Sequence, residues 1–170
     1  MNNFQKDLEK FDTEFKNRIV SGIKNNDSTE YFCERNINFI LDKFFESAKH
    51  SINIFVNSLN DIHFNDVDYL FKGHYNLPKE AIKIIDLNQT QEQIDYFSHL
   101  FRVPNNVIVY KSIKYKDDSK KLMKFIIIDG KRYIMQYPGD NTTFRVCCFN
   151  LNKCKERNEF FNTIWNIEED

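Results

Sequence analysis

Six short runs rich in β-branched and aromatic residues, at 51–56, 81–87, 107–113, 122–128, 133–137 and 144–149, alternate with segments whose apolar residues recur at helical spacing. That order points to one broad solution, a sheet that hides its apolar faces beneath helices. Phe4, Leu8, Phe11, Phe15, Ile19 and Ile23 are spaced three or four apart, which predicts an amphipathic helix of about six turns. Asn25-Asn26-Asp27 breaks it, and Ser28 or Thr29 can cap a second helix that runs to about Lys49. Ile40-Leu41 and Phe44-Phe45 widen the stripe of this second helix, so it is expected to pack on the sheet. A short helix near Asp66–Phe71, another from Thr90 to about Phe101, and a terminal helix over Leu151–Ile167 complete the reading. The expected architecture is an α/β sandwich, a mixed sheet flanked by helices on both faces with an extra N-terminal helix. Residues 1–26 form that helix, for packing or dimerisation, and residues 27–170 form the domain.

A chain of 170 residues suits about one domain. With 41% hydrophobic residues against only 4 Gly and 3 Pro, disordered and collagen-like classes are excluded. Lys and Arg number 24 against 25 Asp and Glu, which removes a uniformly basic nucleic-acid coat and leaves room for a local patch. The N-terminal stretch is charged throughout, without an apolar signal core, and no apolar run is long enough to span a bilayer. Cys33, Cys147, Cys148 and Cys154 contain no CxxC, and adjacent Cys147 and Cys148 point to opposite faces if they lie in a strand. Reduced, buried thiols in a cytoplasmic protein without a membrane anchor are expected. So few glycines also argue against a phosphate-cradling loop, and no cofactor is expected.

The stretch Leu122-Met123-Lys124-Phe125-Ile126-Ile127-Ile128-Asp129-Gly130-Lys131 resembles the H-x-K-x4-D signature of the phospholipase D superfamily, with Lys124 and Asp129 in place and Leu122 where the histidine belongs. The surroundings are similar as well. A helix containing Phe44-Phe45-Glu46-Ser47-Ala48 runs into the strand Ser51–Phe55, and the chain closes on an aromatic helix, Phe160-Phe161-Asn162-Thr163-Ile164-Trp165. The resemblance covers roughly residues 30–167, one half-domain of that family. It implies two copies of the motif face to face, here in a homodimer. One histidine attacks phosphorus, the other protonates the leaving oxygen, and the paired lysines hold phosphate oxygens. Leucine has no lone pair and no proton to give. The element that follows the motif in that family is also not reproduced clearly by Gln136, Tyr137, Pro138 and Gly139.

The resemblance therefore implies a non-catalytic member acting as a binding, sensor or scaffold subunit, beside a defence or nucleic-acid-processing partner. Lys124, Asp129 and Lys131 are the residues it offers for an anion such as phosphate. The plain alternative is a solvated lysine and an ordinary Asp-Gly hairpin turn. Lys111, Lys114, Lys121 and Arg132, interleaved with Tyr110, Tyr115 and Tyr133, suggest a nucleic-acid face, against the plain reading of a lysine-protected strand edge. A rival reading is an active phosphodiesterase or nuclease with a histidine from elsewhere, such as His63 or His74. Those two lie among Asp61, Asp66 and Asp68 without metal-ligand spacing, so no metal is expected.

Overall fold

The computed structural model describes residues 3–57, 77–87, 108–113, 122–140 and 142–167. In chain order these form α1 (Asn3–Asn25), β1 (Glu30–Cys33), α2 (Ile37–Glu46), β2 (Ile52–Val56), β3 (Ile82–Asp86), β4 (Ile108–Ser112), β5 (Lys124–Ile128), β6 (Arg132–Gln136), β7 (Phe144–Cys147) and α3 (Leu151–Trp165). The strands make one seven-stranded mixed sheet in the order β1-β7-β6-β5-β2-β3-β4. β2, β3 and β4 run parallel, and the remaining pairings are antiparallel.

Strand alternation divides the core into two layers. On one face Ile52, Ile54, Ile82, Ile84, Ile126, Ile128 and Ile134 pack under Ile40, Leu41, Phe44 and Phe45 of α2 and Ile19 of α1. On the other, Phe55, Ile85, Phe125, Ile127 and Met135 meet Cys154, Phe161 and Ile164 of α3. Phe55 stacks on Phe125 at 5.1 Å between ring centres. A strand buried on both faces must be apolar at nearly every position, hence INIFV, IKIID and KFIII. Each fully buried Phe or Ile contributes about 1.5–3 kcal/mol by leaving water. Cys147 falls in the second layer and Cys148 in the first; all four cysteines are buried and unpaired with one another.

Local chemistry sets the junctions. Asn26 at φ 54° ends α1, with Asp27 N–H donating to the Gly22 carbonyl at 3.0 Å. Asn150 caps α3, its side chain accepting from Lys153 N–H at 3.0 Å. Asp129 and Gly130, at φ 52° and 64°, form the two-residue turn between β5 and β6, closed by Lys131 N–H to the Ile128 carbonyl at 3.1 Å.

One expectation needs correction. The second helix does not begin at Ser28 or Thr29. Glu30–Cys33 is an edge strand, pairing antiparallel with β7, and the helix starts only at Ile37 after Asn36 at φ 63°. Tyr31 and Cys33 reach the core by alternation while Phe32 points outward, 63% exposed. A period of two thus overrode the helical spacing read across Phe32 and Ile37. The helix also stops at Glu46, because Lys49, His50 and Ser51 turn their N–H groups to Asp129. The helices expected near 66–71 and over 90–101 lie outside the described residues. No helix among the described residues is long and apolar enough to cross a membrane.

Candidate functional site

The parallel strands β2, β3 and β4 end in register at Val56, Asp86 and Ser112. β5 begins at that same end of the sheet with Lys124, and β6 finishes there with Gln136, its direct cross-strand partner. Ile54, Ile84, Ile126 and Ile134 all face the α1/α2 side, so two residues on, Asp86, Lys124 and Gln136 face it too. An apolar layer therefore ends in a polar row along the carboxyl ends of the parallel strands, where open α/β sheets present their ligand crevice.

Burial separates the members of the row. Asp86 is completely enclosed and Gln136 is 2% exposed, while Lys124 is half-buried. Tyr110 donates its hydroxyl to Asp86 Oδ2 at 3.5 Å. Neither Oε1 nor Nε2 of Gln136 has a hydrogen-bond partner among the described residues, and Asn57 Oδ1, just past β2, also lacks one. A buried polar group left unpaired costs about 1–3 kcal/mol.

The residues expected from the sequence do not all converge here. Asp129 and Lys131 lie at the other end of β5, about 16 Å from Lys124 at roughly 3.3 Å per residue. The Asp129 carboxylate accepts from the N–H groups of Lys49 (3.0 and 3.1 Å), His50 (2.8 Å) and Ser51 (3.0 Å), pinning the β5–β6 turn to the start of β2. Lys111 donates to the carbonyls of Trp165, at 2.9 Å, and Ile167, capping the carboxyl end of α3. Arg132 is 5% exposed and begins β6, at the opposite end of that strand from Gln136. It donates to the Ile23 carbonyl at 3.2 Å beneath α1, and burial lowers its pKa against the pull of Asp129. Lys114 and Lys121 lie outside the described residues.

Leu122, which stands where the resemblance would place a histidine, lies just before β5. It packs against the α3-side cluster, whereas Lys124 faces the α1/α2 side. Strand geometry begins only at Lys124, so the two-residue period that would align the two side chains does not extend back to 122. His50 is exposed at the Asp129 end; His63, His74 and His99 lie outside the described residues. Among the described residues no group of three His, Cys, Asp or Glu is placed to hold a metal.

Sequence reasoning passed over Gln136 and Asp86 as parts of a site. A signal was present: Gln136 and Asp86 each end an apolar run at a position whose parity assigns it to the core.

No protein-family model and no curated protein sequence matches the chain. Its fold is similar to that of solved structures. TrmBL2, an archaeal chromatin protein with a novel mode of DNA binding, aligns with a TM-score of 0.61 at 13% identity, over 98% of this chain and 63% of its own. NucT from Helicobacter pylori aligns with a TM-score of 0.56 at 16% identity, over 81% of this chain and 95% of its own. The chain thus spans less than two thirds of TrmBL2. These likenesses establish a shared mixed-sheet α/β fold.

Proposed function

We propose that this protein is a phospholipase-D-like domain that binds phosphodiesters of nucleic acid without hydrolysing them, serving as a sensor or scaffold in a nucleic-acid-processing or defence system. The observation that carries the reading is the pairing of Lys124 with Gln136 at the carboxyl ends of the parallel strands, without a histidine among the described residues of that row. A lysine there attracts a phosphate oxygen by charge, while neither it nor an amide supplies a nucleophile at phosphorus. TrmBL2, whose fold this chain shares, is a DNA-binding chromatin protein and supports the reading by fold analogy. Asp129 and Lys131 then serve the architecture rather than the ligand, and the homodimer and cytoplasmic location expected from the sequence belong to the same proposal.

The test is titration of the wild-type chain and Lys124→Ala with inorganic phosphate and a single-stranded oligonucleotide, beside a turnover assay on a generic phosphodiester with and without chelator. Salt-sensitive binding without turnover, weakened about tenfold or more by Lys124→Ala, is expected. Equal binding by the variant, or hydrolysis by the wild type, overturns it.

A further inference from the structure

We infer that Gln136 reads a nucleobase edge beside the phosphate held by Lys124, so that the site takes a nucleotide, free or within a strand, in preference to phosphate alone or a lipid headgroup. The inference rests on the phosphate reading above and deepens it. A carboxamide offers N–H donors and a carbonyl acceptor side by side. In Gln136 both kinds are buried and unpaired among the described residues. A phosphodiester supplies acceptors only, so it would satisfy Nε2 and leave Oε1 as it is. A ligand that meets both must bring a donor and an acceptor on one edge, which is what a nucleobase presents; glutamine pairs in this bidentate way with adenine. A quaternary-amine headgroup has no donor to give.

Gln136 and Lys124 are direct cross-strand partners, so their Cβ atoms stand about 4.5–5.5 Å apart on one face. That lets a base and its own phosphate be held together. Keeping the Gln136 carboxamide unpaired lowers the stability of the empty protein, a cost retained at sites where a ligand completes the bonds.

The experiment is calorimetric titration of the full chain with AMP, ribose 5-phosphate, inorganic phosphate and phosphocholine, for the wild type, Gln136→Met and Lys124→Ala. AMP is expected to bind the wild type about tenfold or more tighter than ribose 5-phosphate. Gln136→Met is expected to erase that difference by weakening AMP far more than ribose 5-phosphate, and to raise the melting temperature by about 2–4 °C. Wild-type protein that binds AMP and ribose 5-phosphate alike, both through Lys124, overturns this inference and leaves the phosphate reading standing. Binding of none of the four, or binding indifferent to Lys124→Ala, overturns the phosphate reading as well. A preference for AMP that survives in Gln136→Met assigns it to other groups and refutes the role of Gln136.

Discussion

Replacing Asp129 separates architecture from ligand binding. Its carboxylate takes N–H bonds from three consecutive residues, Lys49, His50 and Ser51, at 2.8–3.1 Å, while its own N–H donates to the Ser51 carbonyl at 2.8 Å. These bonds join the β5–β6 turn to a segment some 80 positions earlier in the chain. Hydrogen bonds to a charged group contribute about 1.5–3 kcal/mol against about 1 for neutral pairs. The amides lie partly open to water, so the three do not add in full. Asp129→Asn keeps the size and tolerates φ 52°, but replaces one acceptor oxygen by a donor, and should cost about 1–2 kcal/mol. Asp129→Ala removes every acceptor and places alanine in the left-handed region, itself about 1–2 kcal/mol, for a total near 3–4 kcal/mol. Urea unfolding reads this directly, because at a slope of about 2 kcal/mol per molar such a loss moves the midpoint by about 1.5–2 M. Both variants should bind phosphate ligands like the wild type while folded. An alanine variant within about 0.5 kcal/mol of the wild type would refute the anchoring role. Lost affinity without lost stability would contradict the separation of the two ends of β5.

Two further perturbations probe the packing. Burial pushes the Glu30 carboxyl up, but the Tyr133 hydroxyl, Lys153 at 3.4 Å and Arg145 at 3.3 Å outweigh it and leave its pKa below the ordinary value. Its contribution is therefore complete above the unfolded pKa of about 4.5 and lost as pH falls through the lower folded value. Glu30→Gln should destabilise the protein at pH 7 and progressively less towards pH 3; a difference that stays constant over that range rules the linkage out. A Cβ on Gly22 would meet Cys148 Sγ at 2.9 Å and its Cβ at 3.3 Å. Gly22→Ala should thus cost about 1–2 kcal/mol although helix propensity favours it by about 1. In a Cys148→Ala background the same change should turn neutral or stabilising, and an equal loss in both backgrounds would show that Cys148 is not the obstacle.

Elements whose pattern is local were legible in the chain. The stripe from Phe4 to Ile23 announced α1, and the runs around Ile54, Ile84, Ile126, Ile134 and Val146 announced their strands within a residue or two. Asp129-Gly130 carried its own turn chemistry. β1 escaped notice because four residues give too few periods to outvote the helical pattern beyond them, and an edge strand is defined by its partner, here β7.

The site divides along the same line. Sequence by itself determined that the chain would build a helix-covered sheet, that its cysteines would be buried, and that Lys124 would belong to an apolar strand. Only the tertiary structure decided what stands beside that lysine. Register brought Gln136 next to it and left Asp129 and Lys131 at the far end, packing drew Arg132 beneath α1, and Lys111 was spent on the end of α3. Periodicity is a property of neighbours along the chain, whereas pairing and register arise from contacts between segments far apart in it, which no local pattern encodes.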